Sequence, residues 1–178
     1  MLGKVTRISL LAMTFAVPNL ASANNFNYNS FSVRLGASPG TIGAEFSTFF
    51  TENTHFIVRG DSRFEGDWDF AGGIGFNGPL GQFADVYGQL MAHSVKGTDN
   101  DNYDNEFLTE FNMGTRIWLL PNVEAGGHIG MLNGADDTKF IYSAGARFHS
   151  TEALSLGAAI ADNGLYGSQL QMSVRFEF

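Results

Sequence analysis

From Leu170 to Phe178 the chain alternates without a break, with Leu170, Met172, Val174, Phe176 and Phe178 separated by Gln171, Ser173, Arg175 and Glu177. Successive side chains of an extended strand point to opposite faces, so a period of two gives one greasy face and one polar, charged face. The pattern recurs upstream. Phe107, Thr109, Phe111, Met113, Thr115, Ile117 and Leu119 alternate with Glu106, Glu110, Asn112 and Arg116. Phe140, Tyr142, Ala144, Ala146 and Phe148 alternate with Lys139, Ser143 and Arg147, and Phe56 and Val58 oppose His55, Arg59 and Asp61. No window sustains a 3.6-residue apolar period, so the chain is predicted to be all-β.

Ten strands are predicted, at about 26–35, 41–50, 55–64, 68–77, 83–93, 106–119, 123–132, 139–149, 153–162 and 169–178. Eight is the alternative if the first and ninth segments pair poorly. The connections fall into two sets. One is short: TEN at 51–53, NGPLGQ at 77–82, LPN at 120–122 and STE at 150–152. The other comprises GASPG, EGD, the long SVKGTDNDNYDN at 94–105, NGADDT and NGLYGS, rich in residues that favour turns.

The first 23 residues read as a secretory leader, with Lys4 and Arg7, an apolar run from Ile8 to Val17, Pro18, and the small residues Ala21, Ser22 and Ala23. That run is too short for a helix spanning a hydrocarbon core, which needs about 20 apolar residues. Cleavage after Ala23 leaves 24–178 as one domain. The chain has no cysteine, so an exported product folds without disulfides. With 18 acidic against 10 basic residues, nucleic acid is excluded as a partner.

A soluble sandwich or a lipocalin-like barrel would hide the apolar face inside. Two observations favour the opposite, a membrane-spanning barrel with the apolar face outward. Phe50, Phe56, Phe76, Phe148 and Phe178 fall near the short-turn end, and Phe64, Trp68, Phe107 and Phe140 near the other, forming two aromatic girdles. Beyond the leader every arginine (Arg34, Arg59, Arg63, Arg116, Arg147 and Arg175) shares the polar face with Glu45, Asp61, Asp69, Asp85, Glu110, Glu124 and Glu177. In a narrow lumen such charges need partners, and the guanidinium fork suits carboxylates. The predicted lumen network is therefore Arg34, Glu45, Arg59, Asp61, Asp85, Glu110, Arg116, Glu124, His128, Arg147, Arg175 and Glu177, with Arg116, Glu110, Glu124 and Arg147 as its stabilising set.

Taken together, these features resemble the small single-chain outer-membrane β-barrels of Gram-negative bacteria, the group containing the transmembrane domain of outer-membrane protein A. The resemblance covers the whole chain and implies an up-and-down antiparallel barrel in the cell outer membrane. Its most specific element is the last strand, where Leu170, Met172, Val174, Phe176 and Phe178 match the signal read by the barrel assembly machinery. It further implies a monomer whose partners are outer-membrane lipid and lipopolysaccharide. Ten strands depart from the commoner eight, and no motif assigns a particular member.

Four functions are weighed. The leading one is a non-enzymatic barrel with an envelope-structural or surface-interaction role, presenting a rim of Glu65, Asp67, Asp99, Asp101, Asp104, Glu106, Asp136, Asp137 and Asp162. A narrow pore is the second, since Gly43, Gly73, Gly75, Gly114, Gly126, Gly130, Gly145 and Gly157 fall on the inward face and remove bulk, although barrels near eight strands are filled by side chains. The third is a barrel enzyme of the lipid A-modifying or protease type using His93, Ser94 and Asp69; no catalytic signature surrounds them. Adhesion through Tyr103 and Tyr166 is the fourth. No cofactor is called for, and no histidine pair has metal-ligand spacing. The stretch from Asp99 to Glu106 carries oxygen ligands suited to calcium but lacks the glycine of an EF-hand loop where Asp104 stands, so a solvated acidic loop is expected. His128, on the face of Glu124, is placed to titrate within the lumen, while His55 and His149 lie near the turn end.

Overall fold

The computed structural model describes residues 26–97, 106–135 and 137–178, so the leader at 1–23 and residues 99–105 of the acidic stretch lie outside the described residues. Ten strands follow one another: β1 (Ser30–Ala37), β2 (Thr41–Thr51), β3 (Thr54–Ser62), β4 (Trp68–Pro79), β5 (Ala84–Lys96), β6 (Glu106–Leu120), β7 (Val123–Asn133), β8 (Thr138–His149), β9 (Leu154–Asp162) and β10 (Ser168–Glu177). Each pairs antiparallel with its neighbours in sequence, and β1 closes the sheet on β10 through a register running from Ser30↔Glu177 to Ala37↔Leu170. The fold is a closed up-and-down barrel with no sheet edge. The even strand number puts the start of β1 and the end of β10 at the end that carries the β2–β3, β4–β5, β6–β7 and β8–β9 turns, the periplasmic end of such barrels.

Alternation is resolved in one sense: most of the large apolar residues face out. Ile129 in mid-strand is 61 % exposed, Phe107 71 % and Phe178 65 %, whereas His93 and Glu110, on the opposite parity, are each 1 % exposed. This inversion of a soluble core places the chain in the outer membrane, where the outer solvent is hydrocarbon. Phe50, Phe56, Phe76, Phe148 and Phe178 ring the turn end and Phe64, Trp68, Phe107 and Phe140 the loop end, all of them exposed. Phe50 stacks on Phe56 at 4.5 Å and Phe46 on Phe178 at 5.9 Å, so the turn-end girdle is a packed band.

The strands match the expected segments closely except at the start, where a strand from residue 26 was expected and the ladder begins at Ser30. Asn29 is the reason. Its side-chain oxygen accepts from Thr48 Oγ1 at 3.0 Å and the Phe49 amide at 2.8 Å, so it caps β2 and turns the preceding residues out of the ladder. Residues 26–29 instead fold into the turn end of the lumen, where Phe26 and Tyr28 are buried.

At the loop end, Val95, Leu108, Leu132 and Ile141 point inward and form an apolar cluster with Tyr166 from the β9–β10 loop. Gly164 and Gly167, both at positive φ (80° and 74°), let that loop reverse tightly enough to carry the Tyr166 ring over the barrel mouth. In the β3–β4 loop, Asp67 accepts from the Arg63 amide at 3.3 Å and the Glu65 amide at 3.2 Å. Burial acts to raise the Asp67 carboxyl, but these backbone bonds outweigh it and hold the group below its ordinary range.

The lipid-facing assignment makes a quantitative prediction. Ile129→Lys, near mid-height on the outer face, is expected to destabilise the barrel by about 2–4 kcal/mol in lipid. Reversible urea unfolding in vesicles measures it, and Ser143→Lys on the inner face is the contrast, expected to cost markedly less.

Candidate functional site in the barrel lumen

Strand register decides which charges meet. Ser32, Glu45, Arg59, Ala71 and His93 fall in one cross-strand row, and Ser173, Arg34, Gly43, Asp61 and Asp69 in the next. Arg34 donates from Nη1 to Glu45 at 2.9 Å and from Nη2 to Asp61 at 2.9 and 3.0 Å. Reaching a residue two strands away requires a bare wall between, and Gly43 supplies it: the Asp61 carboxylate lies where a Cβ on residue 43 would stand. Arg59 donates to Glu110 and lies 4.0 Å from Asp61. Glu110 also accepts from Asn112 and sits 3.0 Å from His93 Nε2, whose Nδ1 is 2.9 Å from Asp69. A continuous polar chain thus runs from Glu45 through Arg34, Asp61, Arg59 and Glu110 to His93 and Asp69.

A second cluster closes the turn end. Arg116 grips Glu124 through two parallel bonds, Nε to Oε1 at 2.7 Å and Nη2 to Oε2 at 2.9 Å, and lies 3.7 Å from Glu177. Its Nη1 donates to the Asn27 carbonyl at 2.9 Å, and its guanidinium lies 4.6 Å from the Phe26 ring centre and 5.1 Å from that of Tyr28. Phe26 stacks on Trp118 at 5.3 Å and Tyr28 on His55 at 4.7 Å, while Glu124 also lies 3.1 Å from His149 Nε2. Residues 26–29 are therefore a plug, with Arg116 and ring stacking holding Phe26 to Tyr28 and Asn29 bonded to β2. Phe26, Tyr28, Tyr87 and Trp118 share the inward parity of their strands, a signal in the sequence that points to them once the first strand is ended at Ser30.

Between the plug and the loop end lies a chamber of about 230 Å³. Its charged wall carries Arg34, Glu45, Arg59 and Glu110; its opposite wall is stripped to Ser143, Gly145, Gly157, Ala159 and Ser173, and it extends to Asp162 and Asn163 at the loop end. His128 faces this chamber, as does Arg147, which donates to Ser155 at 3.3 Å and to Ser173 at 3.0 Å. Arg175 donates from Nε to Ser32 at 3.2 Å.

The structure regroups the stabilising set expected from the sequence. Glu110 and Arg116 belong to one strand, six residues and about 20 Å apart, so they serve different clusters. Arg116 meets Glu124 and Glu177, Glu110 meets Arg59 and His93, and Arg147 meets only hydroxyls. Asp85 is buried inside the turn end. His93 and Asp69 are adjacent, but Ser94 pairs across the sheet with Phe70 and Phe107 and faces out with them, away from the imidazole, because neighbouring strand residues point to opposite faces. Both His93 nitrogens are occupied by carboxylates, so the trio proposed for catalysis is not assembled. Among the described residues no group of three or more His, Asp or Glu side chains is arranged to hold a metal.

No protein-family model matches this chain, and no curated protein matches it in sequence. Solved structures do match in shape. The KdgM porin aligns over 84 % of this chain and 98 % of its own, with a TM-score of 0.53 and 5 % identity. The KdgM porin in complex with disordered oligogalacturonate aligns over 84 % and 99 %, with a TM-score of 0.51 and 8 % identity. The Acinetobacter baumannii outer membrane protein Omp33 aligns over 87 % and 100 %, with a TM-score of 0.45 and 9 % identity. The two KdgM porin matches show that the chain has the fold of an outer-membrane β-barrel.

Glu110 joins more partners than any other carboxylate described above, and its loss is the sharpest test of the polar chain. Glu110→Gln is expected to cost about 3–5 kcal/mol of unfolding free energy, since it strands Arg59 and His93 in the interior. Glu65→Gln, whose 4.0 Å contact with Arg63 is at the exposed rim, is expected to change stability by under about 1 kcal/mol in the same urea titration.

Proposed function

We propose that this protein is a narrow porin-like channel that passes small polar solutes through its lumen along the β7–β10 wall. The observation that carries the proposal is the chamber: about 230 Å³ of polar space, continuous from the Tyr28 plug to Asp162 and Asn163. Ten-stranded barrels stand near the size at which side chains fill the interior, so open space requires one wall to give up bulk. Gly145, Gly157 and Ala159 do so on adjacent strands. The wall opposite is braced by the ion pairs of Arg34 and Arg59, which keep long side chains out of the passage.

The route ends at residues 26–29, which makes that segment the gate of the channel. Its Phe26–Tyr28 part is attached through Arg116, ring stacking and the Asn27 amide on the Phe178 carbonyl rather than by strand pairing, so it can swing about Asn29 without breaking the ladder. One chain suffices in this reading, since the ten strands close on themselves, and the apolar belt meets outer-membrane lipid and lipopolysaccharide. The KdgM porin, also known in complex with disordered oligogalacturonate, shares the barrel architecture, but the lumen of this chain is the ground for the proposal.

Planar-bilayer recording tests it. The double variant Phe26→Ala with Tyr28→Ala is expected to raise single-channel conductance several-fold, and Ala159→Trp to abolish most of it, with heat-modifiable mobility confirming that both are folded. Folded protein that conducts in neither the wild-type nor the plug-deleted form would instead support a sealed, envelope-structural barrel.

A further inference from the structure

The lumen repeats one geometric device and leaves one copy of it incomplete. Arg34 reaches across Gly43 to a carboxylate, Asp61, two strands away. Arg147 reaches in the same manner across Gly157, its register partner on β9, to residue 173 on β10, and finds a serine hydroxyl. The guanidinium lies against Gly157, where an added Cβ would stand 3.0 Å from Nη2 and 3.1 Å from Cζ. Where the first arginine is neutralised, the second is not.

Arg175 lies beside it in the same condition. It engages the protein through Nε alone, donating to Ser32 at 3.2 Å, so its two Nη groups have no protein acceptor among the described residues. Ser155 links the two, as the register partner of Arg175 and an acceptor for Arg147. No carboxylate lies within 4.0 Å of either arginine among the described residues. The carboxylates nearest in the lumen are Glu45, held by Arg34 at 2.9 Å, Glu124, held by Arg116 at 2.7 Å with His149 at 3.1 Å, and Glu177, 3.7 Å from Arg116. Two arginines facing a narrow lumen and bonded only to neutral hydroxyls lack the contacting carboxylate that Arg34 and Arg116 have, an arrangement the interior of a barrel tolerates poorly.

We infer that Arg147 and Arg175, with the hydroxyls of Ser32, Ser155 and Ser173, form a lumen site for a small oxyanion of the phosphate or carboxylate class. The two forks present planar N–H groups suited to oxyanion oxygens, and each serine that accepts from an arginine retains its own O–H to donate to the anion. Arg147, Arg175, Ser32 and Ser173 all line the chamber, so the ligand reaches the site through the space described above. The site deepens the channel reading, because an anion held there lies on the proposed route, but binding is measured without conduction.

Inorganic phosphate is the probe, titrated calorimetrically into the folded barrel in detergent at constant ionic strength. The wild type is expected to bind saturably. Ser173→Asp supplies the carboxylate that Asp61 supplies to Arg34, and is expected to weaken phosphate binding by at least about tenfold relative to the wild type. The double variant Arg147→Gln with Arg175→Gln is expected to lose binding, which keeps the test decisive if the aspartate variant does not fold. Acetate in place of phosphate distinguishes a site for carboxylates from one for phosphates. Absence of saturable binding to folded wild type, or binding by the folded aspartate variant equal to that of the wild type, overturns the site. Phosphate binding with no conductance in any variant supports the site and retires the channel; conductance without phosphate binding does the reverse.

Discussion

Hydrocarbon offers no partner to a backbone amide or carbonyl, and every other property of this molecule depends on that deficit. A strand crossing a bilayer must pair both of its edges, which for a sheet means closing it. Here the closure is the pairing of β1 with β10, from Ser30↔Glu177 to Ala37↔Leu170. Once the sheet is closed, alternation has only two addresses, lipid and lumen, and the residues at each are chosen by opposite solvents. Phe107, Ile129 and Phe178 take the lipid; Glu110, His93 and Arg116 take the lumen. The even number of strands also brings the start of β1 and the end of β10 to one end, which is how residues 26–29 come to plug the lumen there.

Inside, the constraint changes from backbone pairing to charge pairing in a narrow space. Neighbours along a strand on one face are about 7 Å apart, while neighbours across strands are about 5 Å apart, so ion pairs form around the barrel rather than along it. Long side chains extend that reach when the intervening residue is small. Gly43 lets Arg34 meet Asp61, and Gly157 lets Arg147 meet Ser173. Gly157, which helps open the passage, is thus also the residue that allows Arg147 to lie flat against its wall, so that there a wider lumen and an ordered one have the same cause.

The strand pattern was legible because period-two alternation is a local property. Each of the ten segments could be read from its own residues, including the last, where Leu170, Met172, Phe176 and Phe178 face out as their parity requires. The start of β1 was misread because Phe26 and Tyr28 carry on the alternation past the point where Asn29 ends the ladder by capping β2. Partner choice was less legible. Parity put Arg116 and Glu110 on one face, but their separation along β6 sends them to different clusters, and the mates they do find, Glu124 and Arg59, follow from register and closure. The reach of Tyr166 over the barrel mouth left no signal beyond the glycines that flank it.

By itself the sequence determined the strands, their number and the face each side chain takes, because these follow from a periodicity of two and from turn residues whose effects extend over a few positions. It likewise determined that the polar face would carry nearly all the arginine and much of the acid of the chain. The tertiary structure alone decided which charges meet, which arginines are left with hydroxyls, and where empty space remains. Those outcomes depend on strand tilt and register summed around a closed circuit, so that residues as distant in sequence as Ser32 and Arg175 become neighbours, and no local pattern encodes that sum.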